Sequence, residues 1–155
     1  MTLIQNYAIT YAALGLKILP LGVGAKQPHK CLAPRGLHSA TDDIEAITEW
    51  FKRQPKINIG IACKPSNLVV LDVDLRNGGT TDGLTKTRRI RTGNGWHYYY
   101  YASSEMSFPG KYREGVDIKW NGYVVAAPSV HPSGSIYQVD DMTEIRPISD
   151  LVGVK

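Results

Sequence analysis

Two kinds of hydrophobic spacing succeed one another along the chain, and the change from one to the other divides it. Near the start, Ile4, Tyr7, Ala8, Tyr11, Ala12 and Leu14 recur at helical intervals behind Thr2 and Gln5, which have capping-box spacing, and Gly15 ends the pattern. This predicts a first amphipathic helix. The short apolar run 17–21, bounded by Pro20 and Gly22, predicts a strand that opens into a Gly- and Pro-containing loop reaching about Ala40. A loop of that length in a compact chain is commonly functional. Asp42 and Glu45 then open a second helix, with Ile44, Ile47, Trp50 and Phe51 on one face and Pro55 setting its end.

From Ile57 the spacing becomes that of strands. Segments 57–62 and 67–75 are expected as neighbouring strands joined by the turn Lys64-Pro65-Ser66-Asn67. The basic segment 84–91 is expected as a helix of two turns or less. It leads to the aromatic strand 96–102, whose two-residue period sends the rings of Tyr98, Tyr99, Tyr100 and Tyr101 to alternate faces. Segments 116–119, 123–127 and 136–139 complete the strands, the last two joined through Pro128 and the turn His131-Pro132-Ser133-Gly134. Helices lead and strands dominate the rest, so the expected class is α+β: a small helix-strand lobe packed on a mainly antiparallel sheet.

Composition narrows the setting. The chain has 155 residues, 43% hydrophobic and 21% charged, and a chain of this size buries roughly 68–70% of its unfolded surface without disulfides or a structural metal. No stretch approaches the roughly 18 apolar residues of a membrane span. The apolar N-terminus has no basic region before it, so it does not read as a signal peptide, and the expected compartment is the cytoplasm. Cys31 and Cys63 fit reduced thiols there; with His29 and His38 they match no common zinc module. The net charge, 18 − 14 = +4, hints at a polyanionic partner.

The candidate chemistry is concentrated in a few segments. Leu68-Val69-Val70-Leu71-Asp72-Val73-Asp74-Leu75 reads as a buried strand, where two carboxylates are costly unless something neutralises them. The strand period puts Asp72 and Asp74 on one face, roughly 6.5–7 Å apart along the chain. Two readings are open from spacing alone: ligands of divalent cations, with Asp117 of Gly115-Val116-Asp117-Ile118 as the natural third, or strand-end carboxylates bonded to backbone amides or Arg76. In Thr92-Gly93-Asn94-Gly95-Trp96-His97, Gly93 and Gly95 let a turn approach a phosphate and His97 can donate to one; a plain surface hairpin reads equally well. There is no third glycine for a dinucleotide fingerprint and no GxxxxGK[ST] for a P-loop. Ser129 and His131 share an extended face able to bond a phosphate or sugar, or merely flank a turn. A Ser-His-Asp hydrolase lacks its nucleophile elbow. Cations bracket the acids in sequence: Lys86, Arg88, Arg89 and Arg91 before the glycine loop, Lys111, Arg113 and Lys119 around Asp117.

Taken in order, these segments resemble the catalytic domain of the bifunctional DNA primase-polymerases, of the archaeo-eukaryotic primase superfamily found in phage and plasmid replication. The resemblance runs from GLKILPL and the Lys26-Gln27-Pro28 loop, through NIGIACKPSNLVVLDVD and TGNGWHYYY, to GVDIKWNGYVVAAPSVHPSGSIYQV. It implies an RRM-like sheet and residues 1–155 as a catalytic domain, expected to be part of a longer replication protein. The implied activity is template-dependent nucleotidyl transfer, making and extending primers on single-stranded DNA. Asp72, Asp74 and Asp117 would be catalytic and hold two Mg²⁺ or Mn²⁺ ions. His97 would contact the triphosphate of the incoming NTP or dNTP, with Thr92, Gly93, Gly95, Ser129, His131 and Lys26 around it. Lys86, Arg88, Arg89, Arg91, Lys111 and Arg113 would hold DNA. A helicase would act in cis or in trans, within a bacterial host cell, and no membrane is involved. Two departures stand out: the stretch between Asp74 and His97 is short, with no zinc-binding insertion, and Ala127 replaces a common second proline. A reading from another class is a non-catalytic single-stranded nucleic-acid-binding module of a replication initiator, with the aromatic strand stacking bases.

Overall fold

A computed structural model describes residues 1–151. Two helices, α1 (Leu3–Ala13) and α2 (Ile44–Arg53), accompany a small sheet of β1 (Lys17–Val23), β2 (Ile57–Ala62) and β8 (Tyr123–Val125), in the order β1-β2-β8. The larger sheet contains β3 (Leu68–Asp74), β4 (Arg89–Arg91), β5 (Gly95–Tyr101), β6 (Lys111–Arg113), β7 (Val116–Lys119), β9 (Gln138–Asp141) and β10 (Arg146–Pro147). Its order is β6-β7-β3-β5-β4-β9, with β10 beside the far end of β5 as the parallel member of an otherwise antiparallel sheet. The expected α+β class is what the molecule has.

Local chemistry explains the helices. Thr2 Oγ1 accepts from Gln5 N at 3.2 Å, and Gly15 past the end of α1 takes φ +89°, a conformation costly for a side chain with a Cβ. The α2 cap falls one residue later than expected: Asp43 Oδ1 accepts from Glu45 N at 3.0 Å, while Asp42 instead pairs with Lys17 at 2.6 Å. Ile47, Trp50 and Phe51 of α2 are buried, whereas Ile44 is exposed.

Three expectations are corrected. The strands 57–62 and 67–75 exist and Lys64–Ser66 forms their turn, yet β2 and β3 do not pair. Both edges of β2 are taken by β1 and β8, and both edges of β3 by β5 and β7, so the turn carries the chain from one sheet to the other. Likewise β8 and β9 lie in different sheets, and the link between them closes only a single bridge, Val130 to Ile136. The basic segment 84–91 is not a helix: it runs extended into β4, because Thr87 Oγ1 donates to Tyr99 O at 2.6 Å, Tyr99 N donates to Arg88 O at 3.0 Å, and Tyr100 OH donates to Thr85 O at 2.7 Å. Bonds to the neighbouring strand satisfy backbone groups that a two-turn helix would leave mostly unpaired.

The larger sheet is apolar on both faces. Leu68, Val70, Ile90 and Tyr99 pack under the lobe of α1, α2, β1, β2 and β8. On the reverse face, Val69, Leu71, Val73, Tyr98, Tyr100, Val116 and Ile118 meet Trp120, Ile148 and Leu151. The tyrosine alternation therefore holds, and Tyr101, at the strand end, is half exposed. Along β3, the lobe-side face passes from Leu68 and Val70 to Asp72 and Asp74 where the lobe no longer covers it. Acids begin where the cleft opens.

The lobe is pinned to the sheet's loops by buried polar groups. Tyr11 OH donates to Ala127 O at 2.8 Å, next to the cis Ala127–Pro128 bond. Asn58 Nδ2 donates to Ala25 O and Val130 O, and Val130 N donates to Asn58 Oδ1. Ser129 is fully buried and its Oγ accepts from Ile59 N at 2.9 Å while donating to Ile59 O at 3.1 Å. Ser129→Ala leaves the Ile59 amide buried without an acceptor, at a cost of about 1–3 kcal/mol. Chemical denaturation should read that loss as a lower midpoint at unchanged slope.

Candidate active site

Strand register assembles the site. Asp72 on the central strand β3 lies directly opposite His97 of β5 on one side and Asp117 of β7 on the other, and Lys111 of β6 lies opposite Asp117. Opposed residues of an antiparallel sheet share a face, so the two carboxylates and the imidazole form one transverse row. Asp74, two residues on, extends it along β3. Gly95 pairs with Asp74, and a Cβ at Gly95 would stand 1.9 Å from Val73 O, so only glycine allows the two strands to close there.

Above Asp72 and His97 lies a cleft of about 320 Å³ lined by Lys26, Asp72, Asp74, Arg76, Thr92, Gly93, Asn94, His97, His131 and Tyr137. A second hollow of about 210 Å³ shares Lys26, Asp72, His97 and Tyr137 and continues past Lys119, Tyr123, Val124 and Val125. Asp117 lies in a third hollow, with Asp74, Asn77, Lys111 and Glu114. Asp74 therefore borders the space in front of both other acids.

Electrostatics and hydrogen bonds distinguish the groups. Burial pushes the Asp72 carboxyl up, but His97, with Nε2 3.5 Å from Oδ1, together with Lys119 and Lys26 outweighs it, so Asp72 is held below the usual carboxylate range. His97 is buried and its Nδ1 has no partner among the described residues. Asp74 Oδ1 accepts from Arg76 N and Asn94 Nδ2, both at 3.0 Å, and its Oδ2 from Asn77 Nδ2 at 2.7 Å. Three of its four or so lone-pair sites are thus filled and one remains on Oδ2. The Ser133 amide donates to His131 Nδ1 at 3.0 Å. That nitrogen is therefore unprotonated, and the proton sits on Nε2. Burial, Lys26 and Arg76 all lower the His131 pKa and keep the ring neutral.

The donor set suits a hard divalent cation: three carboxylates on one sheet face, with no thiolate among them. Among the described residues, no three His, Cys, Asp or Glu side chains already converge on a single point. Asp72 is turned to His97 and Asp74 to its amide donors, so cation binding would redirect side chains rather than backbone. His29, Cys31, His38 and Cys63 are not grouped either: His29 Nδ1 accepts from the amides of Cys31 and Leu32, and Cys63 is buried.

Of the residues singled out from sequence, the fold brings Asp72, Asp74, His97, Thr92, Gly93, His131 and Lys26 to one cleft. Gly95 and Ser129 stay beneath it. The first sets the strand spacing, and the hydroxyl of the second is spent on Ile59. The basic segment is also divided. Arg88 donates to Thr143 O at 3.1 Å, and Arg89 forks onto Asp140 while stacking 4.3 Å from the Trp96 centroid, so both fasten β4 to the 140–143 segment. Lys86 makes one exposed ion pair, with Asp141 at 3.3 Å. Arg91 is exposed and lies 5.5 Å from Trp96; Arg113 donates to Thr80 O. Sequence reasoning missed Asn77 and Asn94, which orient Asp74, and Tyr137, which packs 6.2 Å from His97 and 5.9 Å from His131 by ring centroids. Burial and the Asp72 charge push the Tyr137 phenol up to about 12.

Acids beside an imidazole, with Lys26 and Arg76 lining the same cleft of an α+β domain, form an arrangement chemically suited to an anionic, phosphate-bearing ligand. The chain belongs to the bifunctional DNA primase/polymerase family: the model for that family's N-terminal domain matches residues 8–151. It is thus a DNA primase/polymerase domain, a nucleotidyltransferase whose reaction involves DNA and nucleotides. No curated protein matches the chain closely enough to name a relative. Among the described residues no helix is long and apolar enough to cross a membrane.

Proposed function

We propose that this chain makes and extends primers on single-stranded DNA, using Asp72, Asp74 and Asp117 to hold two Mg²⁺ or Mn²⁺ ions. The observation that carries the reading is the row His97-Asp72-Asp117 across three adjacent strands, with His97 and Asp72 opening into a cleft also lined by Lys26, Arg76 and His131, and Asp117 in a neighbouring hollow that shares Asp74 with it. Cations bound there would lower the pKa of the attacking 3′-hydroxyl and neutralise charge on the triphosphate and departing pyrophosphate.

The chain's own groups do the rest. Asn77, Asn94 and the Arg76 amide fix the Asp74 carboxylate, so little reorganisation is left for the moment of reaction. Lys26 and Arg76 draw the triphosphate in, and the neutral His131 offers its Nε2 proton to a phosphate oxygen. His97 Nε2 lies 3.5 Å from Asp72 Oδ1 in the free protein and turns to the triphosphate when Asp72 is engaged elsewhere. Tyr123 OH donates to Lys26 O at 2.7 Å, which ties the loop carrying Lys26 to β8. Lys86, Arg91, Lys111 and Arg113 supply cations for the DNA backbone.

Primer synthesis by the purified protein on single-stranded template, with Mg²⁺ or Mn²⁺ and labelled nucleotides, is the direct test. Products that depend on template and divalent cation are expected. Template binding without synthesis, undiminished by chelator, would instead make the chain a binding module.

A further inference from the structure

Resting on the reading that the cleft takes a nucleoside triphosphate, we propose that Tyr137 binds it, its hydroxyl donating to a phosphate oxygen where the two halves of the cleft meet. The halves differ in chemistry. One is walled by the polar groups of Asp74, Arg76, Asn94 and His131, the other by Tyr123, Val124 and Val125 with Lys119 at its side. A nucleotide matches this polarity in one sense, with its triphosphate in the first half and its nucleoside against the aromatic and aliphatic second half.

Four residues border both halves: Lys26, Asp72, His97 and Tyr137. Asp72 and His97 face one another, and Lys26 is a mobile point charge on a long stem. Tyr137 is different in kind. Its residue is 3% exposed, its backbone amide is fixed to Ser129 O at 2.9 Å, and its ring is held between the rings of His97 and His131. The hydroxyl has no protein partner among the described residues, although the phenol is near enough to Asp72 to feel its charge. Among the described residues the only buried side-chain polar atom without a partner is His97 Nδ1, so the Tyr137 hydroxyl opens into the cleft, a rigidly held donor facing whatever enters there. A phosphate oxygen suits that donor best, because a charged acceptor makes the shorter and stronger bond.

The assignment also explains the fate of Ser129. Its hydroxyl holds Ile59 and its carbonyl holds the amide of Tyr137, so it acts on the site through the placement of this ring.

Tyr137→Phe keeps the ring packing and removes only the unpaired hydroxyl, so no protein hydrogen bond is lost and the fold is kept. Titration of dATP and of ATP with Mg²⁺ into wild type and variant, beside adenosine as a phosphate-free probe and a thermal melt, tests the proposal. The expected result is triphosphate affinity weakened about 10- to 100-fold, with adenosine affinity and melting temperature unchanged. Equal triphosphate affinity in wild type and variant would overturn the role of Tyr137 and leave the nucleotide site standing. An equal loss for adenosine would also overturn it, since the hydroxyl would then serve the nucleoside. A wild type that binds no triphosphate would overturn the site itself.

Discussion

Asp72→Asn lowers nucleotidyl transfer by about a thousandfold or more while leaving the fold and binding of single-stranded DNA in place. The size follows from what the carboxylate does: if it holds a cation that offsets charge in the transition state, losing it removes several kcal/mol of stabilisation, and each 1.36 kcal/mol is about tenfold in rate. Asparagine preserves the shape, and the variant keeps its backbone pairing with His97 and Asp117, so misfolding is not the cause. Removing the charge takes away the group that Lys26, Lys119 and His97 together hold ionised. Divalent-cation binding, read by Mn²⁺ paramagnetic resonance without substrate, should weaken in parallel with synthesis. Full activity in Asp72→Asn would end the cation role, and full Mn²⁺ binding with lost activity would move the ions elsewhere.

The acids were legible in the sequence because burial makes them conspicuous: two aspartates at strand spacing inside Leu68-Val69-Val70-Leu71 demand a reason. The structure retains both readings of the pair. Asp72 faces the cleft, while Asp74 does bond a backbone amide, that of Arg76, and keeps one lone-pair site for something more. Helix ends were legible too, since Thr2, Gly15 and Pro55 act locally. Strand partners were not. Whether β2 lies beside β3 depends on which strands occupy their edges, and β8 and β7 arrive some 50 residues later in the chain. The basic segment misled for the same reason. Helical propensity is a local matter, but Thr85 and Thr87 meet partners on Tyr100 and Tyr99 that only the tertiary fold supplies. Arg88 and Arg89 counted as free cations until Asp140 and the carbonyls of Met142 and Thr143 were placed beside them. Tyr137 carries no motif, and its part in the site arises from the packing of two histidines 34 residues apart in sequence.

The two glycines of the loop before His97 should separate fold from chemistry. Gly95→Ala places a Cβ 1.9 Å from Val73 O, inside the backbone of the central strand, where no side chain can yield. Strands β3 and β5 must part at the acidic end, which breaks the bond from Leu75 N to Asn94 O and the one from Asn94 Nδ2 to Asp74 Oδ1. A destabilisation of about 3 kcal/mol is expected, together with loss of activity, because the sheet both holds the core and sets the acids. Gly93→Ala meets something softer: the ring of His131, with Cγ and Cδ2 at 2.8 Å, which can swing away about its side-chain bonds. Stability should then change by less than about 1 kcal/mol, while the displaced imidazole lowers synthesis about 10- to 100-fold, the penalty of misplacing a positioning group by about an ångström. Denaturant midpoints and primer yields measured on both variants decide it. Two variants equally unstable would mean that the loop is only a hairpin, and an active Gly93→Ala would remove His131 from the nucleotide site.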